Sequence, residues 1–240
     1  MYYQSCPIAL AAEVLAERWT PLIVREIVLM GHYRYGEIHS SLPRLSESLL
    51  AERLRTLERA GVIERRPNPA GRGSEYHPTK AGQELLQILD DLGIWAQRWI
   101  ELRKEDCDPA YLMQTIHILL KTDKLPPKKA VVRFDFRGDL RTYWLVLDRE
   151  SSELCFHDPG RDVDMIVRAD LEALRRVILG RRRLGDAIEG GDIELDGSPE
   201  LVRSFPNWLG LSRYAPYAAE LATAAGAVRQ FPTLPAGPGA

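Results

Sequence analysis

The 240-residue chain has little cysteine, and what it has forms no pattern. Cys6, Cys107 and Cys155 are odd in number and far apart, so neither a disulfide framework nor a paired-cysteine metal site is indicated. The five histidines (His32, His39, His77, His117 and His157) are also scattered, without zinc-ligand spacing, and no metal is expected. Charge of one sign is not in excess either. Thirty-two Lys and Arg face 34 Asp and Glu, giving a net charge of −2, which argues against a chain that coats nucleic acid indiscriminately. No apolar run approaches the ~18 residues that span a bilayer, and the N-terminus lacks a basic region followed by an apolar stretch. A cytoplasmic protein with no membrane partner is therefore expected. GxSxG, a phosphate loop and a nucleophile with a base at recognisable spacing are all missing. No catalytic residue and no cofactor is assigned, and the chain is not expected to be an enzyme.

What is present has the balance of a soluble globular protein, 45% hydrophobic and 28% charged. Within it, the window Arg34–Arg72 is net positive. Its arginines are Arg34, Arg44, Arg53, Arg55, Arg59, Arg65, Arg66 and Arg72; its acids are Glu37, Glu47, Glu52, Glu58 and Glu64. Its centre, "LPRLSESLLAERLRTLERAGVIERR", carries a full set of helix signals. Ser46 is a good N-cap, Leu45 and Leu50 can staple the first turn, and Gly61 stands where a C′ glycine belongs. Leu50, Leu54 and Leu57 share one face, and Ser48, Glu52, Arg55 and Arg59 the other. Amphipathicity alone fits any surface helix, so the neighbours decide.

Before it, "SCPIALAAEVLAERW" predicts a helix with Cys6 at the N-cap and Pro7 at N1. "TPLIVREIVLMG" predicts another, with Thr20 as cap, Pro21 at N1 and Gly31 at the end. "YGEIHSSL" predicts a short helix burying Tyr35, Ile38 and Leu42, and the turn "PRL" joins it to the helix at Ser46: a helix-turn-helix spacing. After it, "VIERR" and "SEYHPT" read as two strands around the loop "PNPAGRG", with Arg72 near the tip. Helix-turn-helix followed by a hairpin is the winged-helix layout. An arginine at a wing tip can contact phosphate or enter a minor groove, although alone it would be a solvated loop charge.

Over about residues 4–103 these motifs, with "SEYHPTKAGQELL", resemble the HxlR-type family of bacterial winged-helix regulators. The resemblance implies a dimer that binds a palindromic operator in double-stranded DNA. It places Ser46, Glu47, Ser48, Leu49, Glu52 and Arg55 at recognition-helix positions and Arg72 in the wing; Arg34 is a further DNA-contact candidate. Ser48 and Glu52 depart from the more basic or amide-like residues of many relatives. Glu accepts from cytosine N4 but repels phosphate, so selective reading is implied rather than a basic grip. Cys6, at a helix N-terminus where the local field lowers thiol pKa, is either a redox sensor, as the resemblance implies for some members, or a small residue packed at a dimer interface.

The long helix after Thr79 places Ala81, Leu85, Ile88, Leu92, Trp95, Trp99 and Leu102 at alternating spacings of four and three, with Leu86, Leu89, Ala96 and Ile100 beside them. One stripe can cover the module's own core and the other a partner helix. The first of these, with the N-terminal helix, is assigned to a homodimer, which suits palindromic half-sites; burial between two domains of one chain is the alternative.

After Leu102 the texture changes. "DKLPPKK" marks a boundary, and "VVRFDF", "TYWLVLD", "ELCFHD" and "DMIVRA" read as strands; in the first, Val132, Phe134 and Phe136 alternate with Val131, Arg133 and Asp135, as in a sheet with one covered face. Asp170 caps "LEALRRVILG"; then come "LGDAIEGG", the strand "DIELDG" and the helix "SPELVRSFPNWLGL". The fold class expected is a mainly α winged helix-turn-helix domain followed by an α+β domain whose sheet is covered by helices. The order of elements over about 128–213 resembles the sterol-carrier-protein-like domain. That resemblance implies an apolar site for a hydrophobic small-molecule effector, lined by Trp144, Phe156, Met165, Leu174, Ile178, Phe205, Trp208 and Leu209. Residues at such periods also make plain core. Arg181–Arg183 can grip an anionic head group or sit as solvated loop charges. The domains expected are 1–104 (DNA binding and dimerisation), 105–127 (a linker with a short helix), 128–217 (sterol-carrier-like, ligand binding) and 218–240 (an Ala-, Gly- and Pro-rich tail that frays). A ligand-free scaffold or an enzyme acting on a hydrophobic substrate are the other uses of the second half.

Overall fold

The computed structural model describes residues 2–69, 71, 73–103 and 107–218. The wing-tip Arg72 and the tail from 219 onward lie outside the described residues. The chain divides into two units, residues 1–93 and 94–240, each with its own apolar core.

In the first unit, α1 (Pro7–Leu15) starts at Cys6 as expected. α2 (Thr20–Val28) starts one residue earlier than the sequence suggests. Trp19 takes φ +77°, and its carbonyl accepts the first helical bond from the Ile23 amide at 2.9 Å. Thr20 is consequently a buried first helical residue instead of the cap. α3 (Tyr35–Ser41) and α4 (Glu47–Arg59) follow. Ser46 caps α4 by accepting from the Leu49 amide at 3.4 Å. At its other end the Val62 amide donates to Leu57 O and the Gly61 amide to Glu58 O, both at 3.0 Å, with Gly61 at φ +69°: a Schellman stop that turns the chain straight into a strand.

β1 (Ile63–Pro67) and β2 (Ser74–Pro78) pair antiparallel, and an isolated bridge between Arg34 and Glu75 attaches the start of α3 to the hairpin. The Tyr76 amide adds a bond to Tyr33 O at 2.7 Å. Ile23, Val24, Ile27, Ile38, Leu42, Leu45, Leu50, Leu54, Leu57, Val62 and Ile63 form the core, so α2, α3, α4 and β1 converge on one apolar centre. Replacing a residue such as Leu54 by Ala costs about 2–5 kcal/mol. Tyr35 is only half-buried, in contrast to the expected burial, because its hydroxyl reaches outward to Glu47 O. Gly82, in the first turn of α5 (Lys80–Trp99), lies so near Val62 O that a Cβ would sit 2.1 Å from it.

The second unit contains α6 (Pro109–Ile118) and a five-stranded mixed sheet of β3 (Ala130–Phe136), β4 (Thr142–Leu147), β5 (Glu153–Cys155), β6 (Met165–Ala169) and β7 (Ile193–Gly197). The spatial order is β5-β4-β3-β6-β7; only β3 and β6 run parallel. α7 (Leu171–Ile178) and α8 (Leu184–Glu189) separate β6 from β7, and α9 (Pro199–Trp208) closes the unit. Asp170 caps α7, as the sequence indicates, and Ser198 caps α9.

Val132, Phe134, Tyr143, Leu145, Met165 and Val167 share one sheet face and pack with apolar residues of α6, α7 and α9. The other face carries the half-exposed Arg133, Trp144, Ile166 and Arg168, although Val131 and Val146 on it are also buried. Residues 107–127 are more than a linker. Leu112, Met113, Ile116, Leu120 and Leu125 are buried in this core, because α6 pays for its ordering with an apolar face that the sheet covers. The division between the compact units falls inside α5, after Gly93.

Candidate nucleic-acid interface

Two bonds fix α4 against α3. Tyr35 Oη donates to Glu47 O at 2.7 Å, and His39 Nε2 lies 3.0 Å from Leu45 O, while the Leu45 amide closes the turn on Leu42 O at 2.9 Å. Burial raises the Tyr35 pKa, with Glu47 adding to it, so the phenol keeps the proton it donates. With Leu50, Leu54 and Leu57 committed to the core, the opposite face of α4 is left to solvent.

Ser46, Glu47, Ser48, Glu52 and Arg55 are exposed there, and the structure brings them onto one surface. Leu49 is half-buried against the core. Ser46 Oγ and Ser48 Oγ lie 3.3 Å apart. Glu52 accepts from Arg53 at 3.2 Å, and Arg53 also reaches Glu17 at 3.0 Å. Arg59 bonds back to Arg55 O at 3.4 Å and Thr56 Oγ1 at 3.2 Å. The Arg55 guanidinium has no partner among the described residues, and it lines a shallow depression with Glu52, Glu58 and Arg59.

Arg34 differs from Arg55. Its Nε donates to Glu75 Oε1 at 3.4 Å, and Glu75 is 2.9 Å from His77 Nε2. Those two partners, His77 first, hold the Glu75 carboxyl below its usual pKa. Sequence reasoning did not single out Arg44 and Arg65, both exposed and both without a partner among the described residues, whereas Arg66 is tied to Glu64. Only the folded neighbours separate a spent arginine from a free one.

Apolar residues are exposed on two helices. Ile8 and Leu10 of α1 are 80% and 54% accessible, and Ile88, Leu92, Trp95 and Trp99 of α5 lie between 44% and 51%. Ile8, Ala12, Leu15, Leu85, Ile88 and Leu92 line an apolar groove in the first unit. Ala81 is exposed with them, while Leu85 joins Leu89 against the first unit's core, so the expected stripe lies open except at Leu85. Cys6 is exposed at the start of α1, where the amides of Ala9 and Ile8 lower its pKa.

A family model described as "HxlR-like helix-turn-helix" matches residues 14–104. The uncharacterized HTH-type transcriptional regulator YvaP of Bacillus subtilis (strain 168) is 39% identical over 103 residues, which are 42% of this chain and 88% of that protein. The chain belongs to the HxlR-like helix-turn-helix family. The HTH-type transcriptional regulator YodB of the same organism is 30% identical over 99 residues, 41% of this chain and 88% of YodB. A solved structure, the reduced form of YodB from B. subtilis, is 33% identical over 41% of this chain and 97% of that chain, with a TM-score of 0.36. Family membership thus rests on the winged-helix half; the family model stops at residue 104.

In the second unit, the eight residues expected to line a ligand site separate. Met165, Leu174, Ile178, Phe205, Trp208 and Leu209 are buried together in the core, where Phe205 and Trp208 pack edge to face at 4.8 Å. Trp208 Nε1 has no hydrogen-bond partner among the described residues. Trp144 and the 46%-exposed Phe156 line a different, open concavity with Tyr143 and His157. The three arginines 181–183 also differ from one another. Arg181 donates to Gln97 O and Ile100 O at 2.9 Å, Arg182 pairs with Asp192 at 2.7 Å, and Arg183 is 86% exposed.

Proposed function

We propose that this protein is a dimeric, sequence-specific DNA-binding transcriptional regulator that acts without catalysis. α4 enters the major groove, and Arg55 reads a base edge with Ser46, Glu47, Ser48 and Glu52 beside it and Leu49 at the margin. Arg44, Arg65 and Arg72 meet the phosphates around that groove, and Arg34 joins them by exchanging its long pairing with Glu75 for a phosphate. The observation that carries this reading is Arg55, without a partner among the described residues, on the exposed face of a helix whose other face is locked into the core by Leu50, Leu54 and Leu57.

A second copy of the chain covers α1 and the exposed stripe Ile88, Leu92, Trp95 and Trp99, with Ala81 and Leu85 at its end, so that two copies of α4 face a palindromic operator. The exposure of that stripe supports the dimer, as monomeric proteins rarely leave such apolar patches open. The second unit is sterol-carrier-like and takes a hydrophobic small molecule that shifts operator affinity, and modification of the exposed, activated Cys6 provides a second input. The test is an anisotropy titration of the full chain against DNA from upstream of its own gene. Saturable binding that survives a large excess of unrelated DNA is expected; binding equal on both DNAs would refute sequence-specific regulation.

A further inference from the structure

An open cavity of about 520 Å³ in the second unit meets the packed core at Val177 and Leu209. Its size falls within the roughly 300–1,000 Å³ of small-molecule sites. Gly180 shapes it: at φ +72° it turns the chain after α7 against Ala215, where a Cβ would sit 2.6 Å from the Ala215 Cβ. The apolar surface comes from Val177, Pro206, Leu209 and Leu211. The charged surface is one-sided. Lys121, Arg181, Arg182 and Arg183 line the cavity against the single carboxylate of Asp186.

These cations are not equally spent. Arg182 is neutralised by Asp192 at 2.7 Å, and Arg183 reaches Asp186 only at 4.0 Å. The Lys121 ammonium has no partner among the described residues. Arg181 is anchored: Nε donates to Gln97 Oε1 at 3.2 Å, and Nη2 donates to Gln97 O and Ile100 O. Its Nη1 has no partner among the described residues. Its direct hydrogen-bond partners are neutral, and the carboxylates of Glu101 and Glu172 act on it less than Arg176 and Arg175 do. Desolvation, with Arg176 and Arg175 nearby, pushes its pKa down, so an anion would relieve it. A fixed planar guanidinium suits a carboxylate better than a mobile ammonium does, because less freedom is lost on pairing.

We infer that this cavity binds a compact amphiphilic anion of the aryl carboxylate class, its ring on Val177, Pro206, Leu209 and Leu211 and its carboxylate held by Arg181, Lys121 and Arg183. The lining joins an apolar surface to a cationic one, which fits a compact apolar body that carries one anionic group. The inference rests on the reading of the second unit as a small-molecule module.

Calorimetry of the full chain with 1-naphthoate and, as the uncharged match, 1-naphthalenemethanol tests it. Saturable naphthoate binding is expected, at least tenfold tighter than the alcohol. The exposed-site double variant Lys121→Ala/Arg183→Ala should weaken naphthoate at least fivefold and leave the alcohol and the melting temperature unchanged. Equal binding of the two probes, or naphthoate binding indifferent to the double variant, would overturn the anionic site while leaving an apolar effector standing. Binding of neither probe would overturn the site itself, and the operator titration without any probe reports separately on the regulator.

Discussion

The Tyr35 hydroxyl donates to the carbonyl oxygen of Glu47 across 2.7 Å, tying the first residue of α3 to the first residue of α4. With the His39 contact to Leu45 O, this bond braces α4 against α3 where it leaves the turn. Tyr35→Phe removes the donor and keeps the ring. It should cost about 0.5–1.5 kcal/mol in urea unfolding. Operator affinity should fall several-fold. Unchanged affinity would mean that the turn at Leu42–Ser46 orients α4 unaided.

Arg55 and Arg44 should fail differently. Arg55→Ala is expected to lose about 1–3 kcal/mol on the operator and to relax selectivity at one base position. Arg44→Ala should weaken operator and unrelated DNA alike and lower the slope of log affinity against log salt by about 1. Titrations of both DNAs at several salt concentrations separate the two.

Ile88 is 45% exposed on α5 and lies outside the first unit's buried core, so Ile88→Glu leaves that core intact. Light scattering should show a dimer become a monomer, circular dichroism should be unchanged, and operator affinity should drop at protein concentrations where the parent is saturated.

The thiols should titrate apart. The amides of Ala9 and Ile8 lower Cys6, which favours the thiolate, so its alkylation rate rises with pH through a midpoint below the ordinary value of 9.0. Burial raises Cys107, which favours the thiol, so its midpoint lies above that value. Iodoacetamide labelling followed site by site by mass spectrometry at pH 7 should modify Cys6 first.

The first half was legible where local signals agree. Ser46, Gly61 and the period of Leu50, Leu54 and Leu57 all specify the same helix, and the structure bears out each of them. Thr20 was misread as a cap because a tryptophan at positive φ leaves no trace in sequence. The state of each arginine was hidden for another reason: Arg34 is neutralised by Glu75, 41 residues away, and only folding supplies that neighbour. In the second half the strands and caps were readable, yet the role of α6 was not, since an apolar face of ten residues looks the same on a linker helix as on a core helix. Apolar periodicity likewise does not distinguish a cavity wall from filled core, so the burial of Phe205 and Trp208 among the core residues was not readable from their spacing.

The central claim is that two copies of α4 read one palindrome. A hydroxyl-radical footprint of the full chain on its selected operator tests it most directly. Two protected half-sites related by a dyad are expected, with centres about 34 Å or a multiple apart, both lost together in Arg55→Ala. A single asymmetric footprint, or protection unchanged by Arg55→Ala, would contradict it.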